Sequence, residues 1–200
     1  PHRAHQHHAN GRFVTATFKW AGHTLHVGNV YCPTESVARQ QFISQILGPS
    51  WACQPDNNIF IGDWNYVDDP IVDRLCRSAS GVPSTAASPS RRAWQDAAPS
   101  ALDAYRLLHP SRHTFTYFGA NRHLARLDRA YIGSQFVPYV LGCNTVASSV
   151  SDHHPIVLEL APKMSLAASG SSLSKARLDF WTSPTHKQAF TNALQAAVAQ

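Results

Sequence analysis

Short β-prone runs separated by turns recur along the chain, and three of them adjoin an acidic residue. Two such runs, at residues 13–18 and 25–31, flank a turn at residues 21–22 and predict an antiparallel hairpin. A third, at residues 58–63, is apolar and leads into a polar turn, which predicts a buried strand that presents Asp63 to a cleft. Strands mixed with helical stretches favour an α/β layered sandwich over an all-α or all-β fold.

Helix signals lie between these runs. Thr34 is a predicted helix cap, and the helix that it begins is expected to end at Gly48. The dipeptide Asp69-Pro70 is a second start signal, and a third helix is predicted over residues 94–108. Further strands are predicted at residues 114–118, 126–132 and 156–160.

The chain of 200 residues fits one domain with extensions. Residues 1–11 are polar and rich in histidine, which predicts a disordered tail. The globular domain is expected over residues 12–162. Residues 163–200 begin with the Ser, Ala and Gly content of a linker and end in a predicted amphipathic helix.

The composition and net charge of the chain indicate which binding partners and which cellular compartment to expect. The chain carries 17 Lys and Arg against 12 Asp and Glu, which suits a polyanionic partner such as nucleic acid, although an ordinary soluble basic protein has the same balance. The four cysteines form no CxxC pair, which argues against a zinc knuckle or a disulfide scaffold and favours reduced thiols in the nucleus or cytoplasm. No apolar run approaches the roughly 20 residues of a membrane span.

Two acidic motifs adjoin the middle strands. Asp63 and Asn65 lie two positions apart, so in extended backbone their side chains point the same way and are candidates for holding a metal ion or orienting a water and a phosphate oxygen. The same GDxN string also occurs as an ordinary Asx turn. Asp128 lies on a strand otherwise directed to the core and needs a partner there. Surface exposure beside Arg126 and Arg129 is the competing interpretation.

The string SDHHPI at residues 151–156 is the most specific short motif in the sequence. Asp152 and His153 are adjacent at a junction between a loop and a strand, where such a pair suits metal binding and proton transfer. A free histidine titrates near neutrality, and a facing carboxylate raises its pKa. A polar turn closed by Pro155 is the alternative without function.

The order of these motifs resembles the endonuclease/exonuclease/phosphatase superfamily, which includes DNase I and the apurinic/apyrimidinic (AP) endonucleases. Within it, the sequence is most similar to the endonuclease domain of LINE-type (non-LTR) retrotransposons. The strings that carry the resemblance are NVYCP at residues 29–33, IGDWN at 61–65, TFTYF at 114–118, RLDR at 126–129 and SDHHPI at 151–156. The resemblance implies a four-layer α/β/β/α sandwich of the DNase I/AP-endonuclease type and a metal-dependent hydrolase that nicks DNA at a phosphodiester.

The resemblance also implies a role for each matching residue. His153 contacts the scissile phosphate or assists proton transfer, and Asp128 orients it. Asp63 positions or deprotonates the attacking water, Asn65 stabilises the transition state, and Tyr31 hydrogen-bonds the phosphate. The implied metal ligands are Asp152, Asp63 and Asn65, with Mg²⁺ or Mn²⁺ as the ion because the site is rich in oxygen.

The chain departs from the family where the domain should begin. The family's opening strands bear an Asn and a metal-binding Glu; no residue before Tyr31 supplies them, and Glu35, in a predicted helix, is no substitute. Thr34 also stands where the family often has Asn. We therefore expect an N-terminally truncated domain with exposed apolar surface and with little or no activity alone.

The end of the chain resembles the segment between endonuclease and reverse transcriptase. The string RLDFW at residues 177–181 follows a linker with Ser and Lys and precedes the predicted amphipathic helix. DNA and a downstream reverse transcriptase region are therefore the partners that the resemblance implies.

Two alternatives remain open. A phosphatase of the same fold, acting on inositol phosphates or sphingomyelin, also uses an SDHxP string, although the inositol phosphatases carry Trp-Cys before the Asp-Arg pair that here follows Leu127. A non-catalytic remnant would at most bind nucleic acid through Arg122, Arg126 and Arg129.

Overall fold

The computed structural model of the chain describes residues 3–8, 11–75, 88–120 and 123–161. The predicted linker and amphipathic helix at residues 163–200 lie outside the described residues. In chain order, the strands are β1 (Arg3–His8), β2 (Phe13–Trp20), β3 (His23–Tyr31), β4 (Asn58–Asp63), β5 (Arg74–Leu75), β6 (Leu102–Asp103), β7 (Tyr117–Phe118), β8 (Leu124–Ala125), β9 (Asp128–Ile132), β10 (Val140–Thr145) and β11 (Ile156–Leu160). The helices are α1 (Ser36–Phe42), α2 (Gly48–Ala52), α3 (Pro89–Ala97) and α4 (Ala104–Leu108), with a π-helical turn at Ile43–Leu47 and a 3₁₀ helix at Ser134–Tyr139.

A six-stranded sheet in the order β1-β2-β3-β4-β9-β6 organises the fold. Its first three strands are antiparallel, β3 and β4 are parallel, and β9 runs antiparallel to both β4 and β6. β10 and β11 form a separate antiparallel pair, and β5, β8 and β7 form a third small sheet. The predicted hairpin is confirmed, because β2 and β3 pair along their whole length around a turn at Ala21 and Gly22.

Buried side chains lie on both faces of the main sheet. One face packs against α1, α2 and α3, and its cluster includes Phe13, Val30, Leu47, Trp51, Phe60 and Trp94. The other face packs against β10, β11 and α4, and its cluster includes Ile59, Ala104, Ala130, Ile132, Cys143 and Leu160. The described residues therefore form a helical layer, a main sheet and a two-stranded second sheet, which correspond to the α/β/β part of the predicted α/β/β/α sandwich.

The helix predicted from Thr34 is capped one residue later and does not end at Gly48. The Glu35 carboxylate caps α1 by accepting hydrogen bonds from the amides of Val37 and Ala38, at 2.9 and 2.6 Å. Gly48 has a helical φ of −60°, and the chain passes through the π-helical turn directly into α2. Thr34 therefore lies one residue before the cap, and the Glu35 carboxylate satisfies two of the free amides at the start of α1.

Two further helix predictions were wrong. At Asp69-Pro70 no helix forms; the Asp69 carboxylate accepts a hydrogen bond from the Ile71 amide at 2.9 Å and closes a local turn. The helix predicted over residues 94–108 is two helices, α3 and α4. Pro99 stands between them and lacks the N–H that a continuing helix needs.

The strand predictions were correct in part. Strand β11 is found at the predicted residues 156–160, whereas β7 and β9 are shorter than the predicted 114–118 and 126–132. The tail predicted to be disordered contains β1, because an edge strand is held by main-chain hydrogen bonds and needs no apolar side chains. β10 was not predicted, since Gly142 and Asn144 interrupt its apolar pattern.

Gly62 fixes the approach of β4 to β3. It has a φ of +144°, and an added Cβ would lie against the carbonyl oxygen of Val30. Only glycine allows this backbone conformation and this close approach, so the sequence places the end of β4, with Asp63, tightly beside β3.

Candidate active site

Three candidate residues lie side by side where strands of the main sheet end or begin. Tyr31 is the last residue of β3 and pairs in register with Asp63, the last residue of β4. Asp63 in turn pairs in register with Asp128, the first residue of β9. Residues that pair directly in adjacent strands carry their side chains on the same face, about 5 Å apart. The register therefore sets two carboxylates and a phenol in one row.

Asn65 turns back onto Asp63. Its backbone has a left-handed φ of +53°, its amide N–H donates to Asp63 Oδ1 at 2.8 Å, and its Nδ2 donates to Asp63 Oδ2 at 2.9 Å and to the carbonyl oxygen of Cys32 at 2.8 Å. Both partners of Nδ2 are acceptors only, which fixes the orientation of the amide and leaves Oδ1 as its free ligand atom. Extended backbone was predicted here; a tight turn at Asn65 brings the two side chains together instead.

His153 and Asp128 form a hydrogen-bonded pair. Nδ1 of His153 lies 2.9 Å from Oδ2 of Asp128. Since an ionised carboxylate only accepts, Nδ1 carries the proton and Nε2 is the nitrogen left for another partner. The ring of Tyr117 packs beside the His153 ring, with 5.1 Å between centroids. The core-directed Asp128 thus has the partner that its position required.

Asp63, Asp128 and His153 form one compact cluster. One candidate ligand atom from each lies within 4.8 Å of the others. Burial, followed by the charge of Asp128, raises the pKa of Asp63 to about 6, against the lowering effect of the Asn65 amide. Burial opposes protonation of His153, but its hydrogen bond to Asp128 and the negative charges of Asp128, Asp63 and Asp152 raise its pKa overall. Such perturbed groups are typical of a functional site.

Two other predicted residues, Tyr31 and Asp152, are exposed and are not part of this cluster. Tyr31 is 49% exposed, with the Arg12 guanidinium over its ring at 4.9 Å. Asp152 is exposed and is not part of the three-residue cluster, although its carbonyl oxygen accepts the Phe118 amide at 2.8 Å. The two glutamates of the chain lie elsewhere, Glu35 at the start of α1 and Glu159 in β11.

Buried supporting residues were not found by sequence reasoning. Asp73 and Asp103 hold the Arg126 guanidinium through contacts of 2.7 Å each, and Arg106 also binds Asp73. The buried Arg129 donates to the carbonyl oxygens of Tyr66 and Arg126, which joins the turn after β4 to the segment before β9. The two arginines of RLDR are the signal that the sequence offers; arginine side chains mostly lie on the surface, whereas both of these are buried.

Replacing Asp63 by asparagine is expected to stabilise the fold at pH 8 by about 1 kcal/mol, a value reduced for partial exposure and for the lost acceptor of Asn65. A carboxyl with a pKa of about 6 when folded favours folding below its ordinary pKa of 3.8 and loses that contribution as the pH rises through 6. Urea unfolding in EDTA between pH 4 and pH 8 measures the difference, which should vanish toward pH 4.

Asp96→Asn, on the exposed side of α3, is the matched control and should shift stability little at any pH. An Asp63→Asn variant that is equal to or less stable than the wild type at pH 8 would contradict the electrostatic interpretation of the cluster.

Comparisons with known proteins find the fold but no close relative. No family model matches the chain, and no curated protein matches it. An AP endonuclease from Archaeoglobus fulgidus superposes with a TM-score of 0.66 at 18% identity, covering 80% of this chain and 71% of that one. The 3′ phosphatase NExo from Neisseria, bound to a product DNA hairpin, gives 0.61 at 16% identity, with 75% and 65% covered.

The endonuclease domain of TRAS1, a telomere-specific non-LTR retrotransposon, gives a TM-score of 0.54 at 12% identity, with 77% of this chain and 65% of that domain covered. The chain therefore spans about two thirds of the length of these structures. At these identities the likeness is one of fold. It confirms the predicted DNase I/AP-endonuclease type of fold, and with it the resemblance to the endonuclease/exonuclease/phosphatase superfamily at the level of the fold.

Proposed function

We propose that the chain carries the catalytic residues of a divalent-metal-dependent endonuclease that hydrolyses phosphodiester bonds of DNA. The observation that carries the proposal is the His153–Asp128 hydrogen bond beside the carboxylate of Asp63, on one face of the sheet. Support comes from solved structures of the same fold, whose names describe an AP endonuclease, a 3′ phosphatase bound to a DNA hairpin and a retrotransposon endonuclease.

His153 is proposed to act through Nε2. Because Asp128 accepts the proton on Nδ1, the imidazole is held in one orientation and its positive charge is stabilised when Nε2 is also protonated. In that form His153 donates a hydrogen bond to the scissile phosphate, or a proton to the leaving 3′ oxygen. The raised pKa of His153 keeps this form populated near neutral pH.

Asp63 is proposed to position and deprotonate the attacking water. A pKa of about 6 leaves it largely ionised at neutral pH and still basic enough to accept a proton. Asn65 fixes the Asp63 carboxylate through two hydrogen bonds, and its free Oδ1 faces no partner among the described residues. The exposed Tyr31 phenol, next to Asp63 in the row, is suited to hydrogen-bond a phosphate oxygen.

The donor set fits a divalent ion such as Mg²⁺ or Mn²⁺. Asp63 offers carboxylate lone pairs, Asn65 an amide oxygen, and the exposed Asp152 a second carboxylate beside His153. A bound cation would also lower the pKa of Asp63, which burial and then the negative charge of Asp128 raise. When bound, the ion supplies charge neutralisation at the phosphate.

The biological setting is proposed to be a retrotransposon-type protein that nicks DNA and leaves a 3′-hydroxyl to prime reverse transcription. The motifs at residues 29–33, 61–65 and 151–156 and the fold of the TRAS1 domain support this setting. A downstream reverse transcriptase and a nuclear or cytoplasmic location belong to the same proposal. Among the described residues, no helix is long and apolar enough to cross a membrane.

Nicking of supercoiled plasmid DNA under single-turnover conditions tests the proposed function. With Mg²⁺ or Mn²⁺ in excess, the chain should convert supercoiled plasmid to open circles, and EDTA should abolish the conversion. We expect the rate to be low, because neither glutamate of the chain joins the cluster.

Phosphate release from inositol phosphates, measured in parallel, distinguishes the phosphatase alternative from the proposed DNA endonuclease. Phosphate release without DNA nicking would indicate that the substrate is an inositol phosphate and not DNA. Salt-dependent DNA binding with neither reaction would contradict catalysis and favour a binding remnant.

A further inference from the structure

Thr116 is a fully buried residue that occupies the junction between the two segments carrying the His–Asp pair. Its hydroxyl oxygen accepts hydrogen bonds from the amides of Leu127 and Asp128, each at 2.9 Å. A hydroxyl oxygen has two acceptor lone pairs, and both are used here. The side chain of Thr116 therefore holds the main chain at Asp128 directly.

The main chain of Thr116 holds the other segment. Its carbonyl oxygen accepts the amide of His154 at 2.7 Å, and its own amide donates to Ala125 at 2.9 Å. Two residues later, the Phe118 amide donates to the carbonyl oxygen of Asp152 at 2.8 Å. The segment at residues 116–118 thus binds the residues on both sides of His153 and, through the Thr116 hydroxyl, the main chain of Asp128, with which His153 pairs.

We propose that Thr116 is a positioning residue that fixes Asp128 against His153, an inference that rests on the proposed function. Without the hydroxyl, the amides of Leu127 and Asp128 lose their partner, and the main chain at these two residues is no longer held by the side chain of Thr116. Catalytic groups need placement within roughly 0.5 Å. A misplacement of about 1 Å costs about 10²-fold in rate.

The test compares Thr116→Val, which keeps the shape and removes the acceptor, with Thr116→Ser, which keeps the acceptor. The single-turnover nicking rate at saturating DNA should fall about 30-fold in Thr116→Val and less than about threefold in Thr116→Ser, with the DNA concentration for half-maximal rate nearly unchanged. Thr114→Val is the matched control, because the Thr114 hydroxyl makes no hydrogen bond within the described part of the chain.

A second readout does not depend on activity. The Nδ1–H proton of His153, bonded to Asp128, should give a downfield proton NMR signal that is absent from His153→Ala. We expect the signal in the wild type, Thr116→Ser and Thr114→Val, and its loss or broadening in Thr116→Val. If Thr116→Val does not fold, Thr116→Ala takes its place, since alanine also removes the acceptor and places no methyl group where the hydroxyl was.

The outcomes separate the positioning role from the function. An unchanged NMR signal and an unchanged rate in the folded Thr116→Val or Thr116→Ala variant would overturn the positioning role. Loss of the signal in Thr116→Val, with Thr116→Ser normal, would support it even if no DNA were cleaved. A Thr116→Ser variant as impaired as Thr116→Val would also overturn it, because the hydroxyl would then be insufficient.

Discussion

Replacing His153 by alanine is expected to lower the single-turnover nicking rate about 10³-fold, or to the rate without protein. The variant loses the ring whose Nδ1 is held by Asp128, and with it the proton donor proposed for the phosphate or the leaving oxygen. DNA affinity should change little, because the removed group acts mainly in the transition state. Gel quantification of open circles, with DNA and divalent ion in fixed excess, provides the measurement.

His154→Ala is the matched control for this substitution. The His154 ring stacks on Phe118 with 4.0 Å between centroids, and the amide that binds Thr116 is kept in alanine. The control should retain the rate within a few fold. Equal losses in the two variants would indicate general damage to the loop and would contradict a specific role for His153.

Replacing Arg126 by methionine is expected to lower the free energy of unfolding by about 3–5 kcal/mol. Burial would raise the pKa of Asp73, but its hydrogen bonds to Arg126 and the charges of Arg126, Arg129 and Arg106 lower it to about 2. Removing the guanidinium leaves the fully buried Asp73 with Arg106 as its remaining ion-pair partner among the described residues and takes the ion-pair partner from Asp103.

The pH dependence of this loss follows from the same pKa. A carboxyl whose pKa is lowered to about 2 on folding contributes stability above its ordinary pKa of 3.8, and that stability is lost as the pH falls through 2. The difference in the free energy of unfolding between the wild type and Arg126→Met, measured by urea unfolding, should therefore decrease from pH 7 toward pH 3. Arg91→Met, which breaks a partly exposed pair with Asp68 at 3.6 Å, is the control and should cost less than about 1 kcal/mol. A similar small cost for Arg126→Met would contradict the structural role.

The sequence predicted the parts of the fold that depend on local pattern. The apolar run of β4, the β2–β3 hairpin and β11 are coded by runs of β-prone residues bounded by turns, and they lie where they were expected. The candidate residues could be named because strand ends carried them, and the register of three neighbouring strands then sets Tyr31, Asp63 and Asp128 in one row. Their roles remain a proposal.

What the sequence could not predict depends on partners far along the chain. Thr116 has no distinguishing neighbour in the sequence, and its importance arises from amides eleven and twelve positions away. Arg126 resembled a surface charge, because the carboxylates that bury it are 53 and 23 residues distant in the chain (Asp73 and Asp103). The left-handed turn at Asn65 was missed since both an extended and a turned backbone are compatible with GDWN.

The most direct test of the proposed chemistry is cleavage of a duplex oligonucleotide in ¹⁸O-labelled water, with products analysed by mass spectrometry. If water positioned at Asp63 attacks the phosphorus and His153 assists the leaving oxygen, each cut should yield a 3′-hydroxyl and a 5′-phosphate carrying one ¹⁸O atom. His153→Ala should yield almost none of either product. A 3′-phosphate product, or labelled product formed equally by His153→Ala, would contradict the assignment of this cluster as a phosphodiester-hydrolysing site.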